Sequence, residues 1–222
     1  MKVLVAEDDA SLREGISDVL SELAEVHSAG SVDAALALLQ QERFELVLTD
    51  LRLAGTGKGG RSILEAARRR LQAVAIVSAA TPEDLQRALE PLEADAILAK
   101  PFQLEDMIAL VERFLALRGD LERLSKAWPP ESGWTEVAAG AHLQQVQSPE
   151  PEEDATWIRL QPGTSYAWTH HSGRAGVLVV EGALEVEGER QPAPRYLFLS
   201  RGQPPTMRTE QGCLVLSLAL RG

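Results

Sequence analysis

Short apolar runs alternate with amphipathic segments along the first 117 residues of the chain. Most of the runs are nearly continuous in apolar residues, as in strands that are covered on both faces, whereas the one at 24–28 contains Glu25 and His27. They lie at 3–6, 24–28, 46–49, 73–77 and 96–99. Between them, apolar side chains recur with the helical period of three or four residues, at 11–23, 31–41, 61–70, 82–93 and 103–117. Five strand–helix repeats predict an α/β fold, a doubly wound parallel sheet with helices on both faces.

The pattern changes after the break Pro-Pro-Glu-Ser-Gly at 129–133. Short β-type runs follow, separated by turn residues such as Pro-Gly and Glu-Gly. These runs lie at 156–160, 175–180, 183–187, 196–199 and 213–220. Their spacing is typical of an all-β sandwich or barrel. We therefore predict an α/β domain at 1–118, a helical linker at 119–134 and a β domain at 135–222.

A row of apolar residues with alternating spacings of three and four crosses the predicted boundary. Its members are Met107, Leu110, Phe114, Leu117, Leu121, Leu124 and Trp128. Such a heptad seam is typical of a dimerising helix, which would make the chain a homodimer through 107–128. The alternative is a helix that ends at Gly119, followed by a short helix capped by Asp120, because glycine costs about 1 kcal/mol inside a helix.

Net charge, the length of apolar runs and the cysteine count exclude several classes of function. The net charge is −11, and neither half has the excess of Lys and Arg that binding to a phosphate backbone requires, so nucleic acid is not expected as a partner. No apolar run reaches the ~20 residues of a membrane span. The single cysteine, Cys213, cannot form a disulfide within the chain. These features predict a cytoplasmic protein without a membrane partner.

Charged residues follow three of the predicted strands. Glu7, Asp8 and Asp9 come directly after the first strand, Asp50 ends the third, and Lys100 follows the fifth. In an open α/β sheet, ligands bind at the carboxyl ends of the strands, where these charges would gather. Clustered carboxylates are stabilised by a hard cation, and Mg²⁺ is the natural candidate. The lysine would supply a fixed positive charge for an anion bound beside the metal.

In these positions the first half resembles the receiver domain of two-component response regulators. The resemblance covers residues 1–118 and rests on four segments, each after the expected strand and in the expected order. They are Val-Ala-Glu-Asp-Asp at 5–9, Thr-Asp-Leu-Arg-Leu at 49–53, Ile-Val-Ser-Ala at 76–79 and Lys-Pro-Phe at 100–102. The resemblance implies a flavodoxin-like sheet of five parallel strands.

The resemblance also implies a phosphorylation site. Asp50 would accept a phosphoryl group from a sensor histidine kinase or a phosphotransfer protein. Asp8, Asp9 and Asp50 would hold Mg²⁺ together with the main-chain carbonyl of Arg52. This agrees with the residue types, because phosphoryl transfer needs positioning and charge neutralisation above all.

The remaining expected roles concern the response to phosphorylation. Ser78 would hydrogen-bond the phosphoryl group, Lys100 would pair with its oxygens, and the Lys100–Pro101 peptide bond is expected to be cis. Two features depart from the family pattern. The switch position carries Ile97 where receivers commonly have Tyr or Phe, and the loop at 54–60 is Gly-rich without the usual proline, so we expect it to be mobile.

The second half is similar to the small β-barrel cupin of zinc-binding anti-sigma factors of the ChrR type. The segments that carry the resemblance lie at 157–163, 177–184 and 212–215. Of the family's metal ligands, only His171 occupies an expected position, as a vestige, so no cupin metal is expected. A barrel without metal can still bind a small apolar ligand, for which Trp157, Tyr166 and Trp168 are candidate lining residues, or these residues can simply fill the core.

Two functions are consistent with this organisation. The first is a response regulator, a signalling switch rather than an enzyme, in which phosphorylated Asp50 changes a cupin-like output module that acts through protein association. The alternative is a cupin that binds a small ligand or catalyses a reaction under control of the receiver. No helix-turn-helix pattern follows the first domain, which disfavours DNA binding as the output.

Overall fold

The computed structural model describes residues 1–53, 59–146, 154–168, 173–202 and 205–220. The chain divides into two compact units, Met1–Leu115 and Ala116–Gly222. The sheet of the first unit is parallel, and that of the second is antiparallel, as the two halves of the sequence pattern predict. Among the helices of the described residues, none is long and apolar enough to cross a membrane.

The first unit contains a five-stranded parallel sheet with the strand order β2-β1-β3-β4-β5. Its strands are β1 (Lys2–Ala6), β2 (Glu25–Ala29), β3 (Leu46–Asp50), β4 (Ala73–Ser78) and β5 (Ala96–Ala99). β1, β3 and β4 are almost completely buried, which explains why their sequences are continuous apolar runs. The predicted α/β class with five parallel strands is confirmed.

Helices connect the strands. They are α1 (Ala10–Leu20), α2 (Val32–Gln41), α3 (Gly59–Arg69), α4 (Pro82–Leu89) and α5 (Leu104–Leu124). Asp9, Ser31 and Thr81 cap α1, α2 and α4, and in each case the side-chain oxygen accepts a hydrogen bond from a backbone N–H of the first turn. α4 ends at Leu89, earlier than predicted, because Pro91 follows and cannot continue a helix.

α5 is one continuous helix through Gly119 and reaches Leu124, so the alternative of a helix that ends at Gly119, followed by a short one capped by Asp120, is not observed. Its first part belongs to the first unit and its last part, from Ala116, to the second. The segment predicted as a linker at 119–134 therefore begins inside this helix.

The substitution Gly119→Ala is expected to stabilise the protein by about 0.5–1 kcal/mol, because alanine reduces the entropy lost on helix formation. A Cβ atom at Gly119 would meet no atom within 4 Å, so nothing offsets this gain. Urea unfolding followed by circular dichroism measures the change. Gly15, in α1, has the same free space and serves as the matched comparison. A destabilised Gly119→Ala beside a stabilised Gly15→Ala would show that the chain needs glycine's flexibility at 119.

Within the described residues, the second unit is an antiparallel sheet of nine strands. They are β6 (Thr135–Ala138), β7 (Ala141–Gln145), β8 (Ala155–Leu160), β9 (Ser165–Ala167), β10 (Ala175–Val186), β11 (Glu189–Pro192), β12 (Arg195–Leu199), β13 (Thr206–Arg208) and β14 (Cys213–Ala219). The main path is β6-β7-β8-β14-β10-β13-β9, and β11 and β12 also pair with β10. This nearly barrel-shaped sheet confirms the predicted all-β class.

β10 joins the two parts of this sheet. Its first half, from Ala175 to Val179, pairs with β12, and its second half, from Ala183, pairs with β11. The pairing with β14 is irregular between Val179 and Glu181, and Gly182 has a φ of +75°. In place of the turn predicted at Glu181-Gly182 between two strands, β10 continues as one long strand, which bends at a bulge at Val180, just before these two residues.

The C-terminal part of α5 packs on β10. A Cβ atom at Gly176 would lie 2.8 Å from Leu121 Cδ1 and 3.0 Å from Leu117 Cδ2, so only glycine admits these leucines so closely. The Arg118 guanidinium lies 5.8 Å from the centre of the Tyr196 ring.

This packing involves the same residues as the homodimer expected through 107–128, which stays a prediction. Five positions of the heptad seam are buried within the single chain, namely Met107, Phe114, Leu117, Leu121 and Leu124. A second helix could reach them only if they left their present contacts. Most seam residues thus pack inside one chain, and among the seam residues only Trp128 is largely exposed.

Candidate functional site

An acidic crevice lies at the carboxyl ends of β1, β3 and β5. Glu7 and Asp8 follow β1, Asp50 is the last residue of β3, and Lys100 follows β5. β1 and β3 are neighbours in the sheet, which brings Glu7, Asp8 and Asp50 together. Their nearest ligand oxygens all lie within 4.8 Å of one another.

Lys100 joins two of these acids. Its Nζ atom donates to Asp50 Oδ2 over 2.6 Å and to Glu7 Oε2 over 2.7 Å. The side chains of Asp50 and Glu7 are only 15% and 5% exposed, so the ion pairs are largely shielded from water. The Lys100 main-chain N–H donates to the carbonyl of Ser78, which fixes the start of the lysine segment beside β4.

The environment changes the pKa of Lys100. Burial alone would lower it, but the hydrogen bonds and charges of Asp50 and Glu7 outweigh burial and raise the pKa above its ordinary value of 10.5. The ammonium group is therefore fully charged at neutral pH and stands ready to pair with an anion.

Asp9 was predicted to bind Mg²⁺ with Asp8 and Asp50, but its side chain has another partner. Asp9 Oδ1 accepts a hydrogen bond of 2.9 Å from Leu12 N at the start of α1. Among the described residues, the third acid that lies within metal-binding distance of Asp8 and Asp50 is Glu7. Sequence reasoning counted Glu7 in the cluster and gave it no role, although it follows the strand most directly.

Asp50 is held at its other oxygen. Asp50 Oδ1 accepts a hydrogen bond of 2.8 Å from the main-chain N–H of Arg52. This bond places the Arg52 main chain, the predicted source of a carbonyl ligand, directly beside the carboxylate. The metal role of that carbonyl stays a prediction.

Ser78 and Ile97 lie where the sequence places them. Ser78 ends β4 and is buried, and its Oγ accepts a hydrogen bond of 3.1 Å from Ala80 N. Ile97 is in β5 and is 56% exposed. The Lys100–Pro101 peptide bond is cis, as expected. The roles of Ser78 and Ile97 in sensing stay predictions.

Gly59 and Gly60 contribute to the site in a way that sequence reasoning missed. They belong to the loop that was expected to be mobile, but both are buried in the first turn of α3. A Cβ atom at Gly60 would lie 2.4 Å from the main-chain oxygen of Asp50, and one at Gly59 would lie 2.6 Å from that of Leu53. Glycine therefore allows α3 to begin against the backbone of the crevice. The rest of that loop, 54–58, lies outside the described residues.

In the second unit, the predicted vestigial ligand His171 lies outside the described residues, and the expected absence of a cupin metal stays a prediction. Trp157 pairs across the sheet with Leu216, and Leu216 with Leu178, two residues from Gly176. Paired side chains of antiparallel strands share a face. Trp157 therefore lies on the face of the sheet that the C-terminal part of α5 covers. Whether it lines a ligand site or fills the core, the two alternatives from the sequence, stays open.

Two families match the chain. Residues 3–112 match the response regulator receiver domain, and residues 129–219 match the ChrR cupin-like domain. The first range contains the acidic crevice, and the second contains all nine strands of the antiparallel sheet.

Curated relatives match the first part of the chain. The response regulator protein FleR of Pseudomonas aeruginosa is 35% identical over 118 residues, which are 50% of this chain and 24% of FleR. The transcriptional regulatory protein PdtaR of Mycobacterium tuberculosis is 30% identical over 134 residues, which are 56% of this chain and 65% of PdtaR. The chain thus spans less than two thirds of the length of each of these relatives.

Among solved structures, the chemotaxis response regulator CheY4 of Vibrio cholerae is similar to 51% of this chain over 97% of its own length, with 24% identity and a TM-score of 0.45. The Francisella response regulator 1452 receiver domain is similar to 52% of this chain over 96% of its own length, with 26% identity and a TM-score of 0.46.

Proposed function

Since this chain joins a response regulator receiver domain to a ChrR cupin-like domain, we propose that Asp50 is phosphorylated by a sensor histidine kinase or a phosphotransfer protein. The observation that carries the proposal is the ion pair of Lys100 with Asp50 and Glu7 inside the acidic crevice. The Asp50 carboxylate, the proposed phosphoryl acceptor, thus lies directly beside the Lys100 ammonium group. That group would then pair with the phosphoryl oxygens.

The transfer needs little rearrangement of the chain. A carboxylate oxygen of Asp50 forms a bond to phosphorus while the P–N bond of the donor's phosphohistidine breaks, and the electron pair of that bond remains on the imidazole nitrogen. Arg52 N and Lys100 hold the Asp50 carboxylate in place before the reaction. Lys100 can then exchange Asp50 for the phosphoryl oxygens while Glu7 keeps its ammonium group in the crevice.

The crevice suits Mg²⁺, which supplies neutralisation of the phosphoryl charge when bound. Three carboxylates within 4.8 Å of one another form the hard oxygen donor set that this ion prefers. We assign the site to Glu7, Asp8 and Asp50, with the Arg52 carbonyl as a further ligand. Asp9, the third acid expected from the sequence, is assigned to capping α1.

The output is proposed to be protein association through the cupin-like unit, with the receiver acting as a switch and not as a metabolic enzyme. α5 begins in the first unit and ends on β10 of the second, so it is the continuous element through which the state of Asp50 can reach that sheet. The acidic net charge of −11 disfavours DNA as the target. A cytoplasmic location stays a prediction.

Incubation with acetyl phosphate and Mg²⁺ tests the proposal. We expect wild type to gain the mass of one phosphoryl group and Asp50→Asn to gain none, because Asn lacks the nucleophilic carboxylate oxygen. Intact-protein mass spectrometry measures the gain, and size-exclusion chromatography of the same samples reports association. A mass gain of equal size in Asp50→Asn would overturn the assignment of Asp50.

The variants Asp8→Asn and Asp9→Asn form a matched pair for the metal assignment. Asn remains a good helix cap, so Asp9→Asn removes a charge but keeps the capping bond to Leu12 N. Asp8→Asn is expected to weaken Mg²⁺ binding at least about tenfold in titration calorimetry, which corresponds to 1.4 kcal/mol. Asp9→Asn should change it much less, and the reverse order would restore the ligand set expected from the sequence.

A further inference from the structure

A cavity of about 840 Å³ lies in the second unit, and none of the crevice residues lines it. One wall is the segment that follows α5, including Trp128, Pro129 and Ser132, and another is formed by β6, β7 and Trp157 of β8. The volume falls within the range of small-molecule sites, about 300–1,000 Å³. Neither the phosphorylation chemistry nor the core packing explains this space.

The lining is neutral. Among the described residues, not one of those that line the cavity carries a charge, although Asp, Glu, Lys and Arg make up 25% of the chain. An ionic ligand would find no counter-charge among these residues, and burying an unpaired charge is costly. Two tryptophans contribute large apolar surfaces: Trp157 is 3% exposed, and Trp128 is 59% exposed. These surfaces favour a flat, apolar ligand body.

One polar group in the lining lacks a partner. Gln144 is only 8% exposed, and its Nε2 donates to the Ser132 carbonyl over 2.6 Å. That bond fixes the orientation of the amide and leaves Oε1, which is buried and has no hydrogen-bond partner. A buried acceptor without a donor costs about 1–3 kcal/mol. A ligand with an O–H or N–H group would remove this cost.

We propose that this cavity binds a neutral small molecule with a planar apolar body and one hydrogen-bond donor, which Gln144 Oε1 accepts. The apolar body lies against Trp128 and Trp157. The proposal does not depend on phosphorylation of Asp50, so the two can fail separately.

Three naphthalene derivatives test the chemistry by titration calorimetry with the full chain at pH 7. 2-Naphthol has the planar body and a donor, 2-methoxynaphthalene lacks the donor, and 2-naphthoate is charged. We expect 2-naphthol to bind, 2-methoxynaphthalene to bind about five- to tenfold more weakly, as one hydrogen bond predicts, and 2-naphthoate to bind weakest. Saturable binding of none of them, or tightest binding of the naphthoate, would overturn the proposal.

Two variants locate the site. Gln144→Leu should abolish the difference between 2-naphthol and 2-methoxynaphthalene, while Gln86→Leu, at an exposed position of α4, should leave it unchanged. Trp128→Ala changes an exposed side chain and so tests the site without disturbing the fold; it should weaken both ligands. Undiminished binding in Trp128→Ala would place the ligand elsewhere. Concentration-dependent dimerisation that Trp128→Ala abolishes would show instead that a second copy of the chain occupies the cavity.

Discussion

Replacing Lys100 by Met is expected to destabilise the first unit by about 2–4 kcal/mol in the absence of divalent cations, since removing one partner of a shielded ion pair leaves the other charge unpaired. Here two carboxylates lose their partner at once, because Lys100 Nζ binds both Glu7 and Asp50. Met keeps most of the apolar volume of the lysine side chain. The loss of stability therefore measures the effect of removing the positive charge. Urea unfolding followed by helical circular dichroism, with a chelator present, measures it.

Lys126 provides the matched control. It is exposed, follows α5 and lies far along the chain from the crevice, so Lys126→Met should change stability by less than about 0.5 kcal/mol. Mg²⁺ should restore more stability to Lys100→Met than it adds to wild type, because the ion replaces the missing positive charge. An equal effect of Mg²⁺ on both proteins would show that the three acids do not share the metal site.

The stability of the wild type at alkaline pH also reports the contribution of Lys100, because deprotonation removes the same positive charge that the substitution removes. The pKa of Lys100 is raised in the folded state above 10.5. Its contribution to stability is thus fully present below about pH 10.5 and is lost as the pH rises through the higher folded pKa. Lys100→Met should lack this alkaline loss.

The strands of the first unit could be predicted from the sequence because parallel strands are buried on both faces, and a run such as Val3 to Ala6 has no other common explanation. The proximity of Asp50 and Lys100 could be predicted from this, since Asp50 is the last residue of β3 and Lys100 follows β5 in the same parallel sheet. Which acids face the crevice could not be predicted. Glu7, Asp8 and Asp9 are consecutive, and only the path of the chain into α1 decides that Asp9 becomes the cap.

The second unit was harder to read for two physical reasons. β9 and β13 have three residues each, too few for a periodic pattern, and their pairing is set by long-range contacts. β10 contains a glycine, Gly182, that resembles a turn residue in the sequence but stays paired in the sheet, just after a bulge. In the same way, the heptad seam of α5 resembles a dimer interface, because a helix that packs on a sheet buries residues with nearly the same period.

The substitution Gly182→Ala is expected to unfold the second unit or to destabilise it by at least about 4 kcal/mol, through a clash and an unfavourable backbone conformation together. Gly182 has a φ of +75°, and a Cβ atom would lie 2.2 Å from the main-chain oxygen of Gly212. A backbone oxygen cannot rotate away as a side chain can. The bend of β10 would have to open, and with it the pairing to β14.

The variant Gly188→Ala separates the effect of the clash from that of the unfavourable backbone conformation. Gly188 has a φ of +80°, but a Cβ atom there would meet no atom within 4 Å. Gly188→Ala should therefore cost only the conformational strain, about 1–2 kcal/mol. Equal losses in the two variants would mean that the close approach of Gly212 does not matter.

Cys213 provides the measurement, because it pairs with Gly182 across the sheet and is the only cysteine of the chain. Burial raises the pKa of its thiol to about 11, although a hydrogen bond with Thr209 opposes this shift. At pH 8 the folded wild type should therefore react very slowly with an aromatic disulfide reagent. Gly188→Ala should remain nearly as slow, whereas Gly182→Ala should react at the rate of the unfolded chain. A slow reaction in Gly182→Ala would show that the bend of β10 tolerates a side chain.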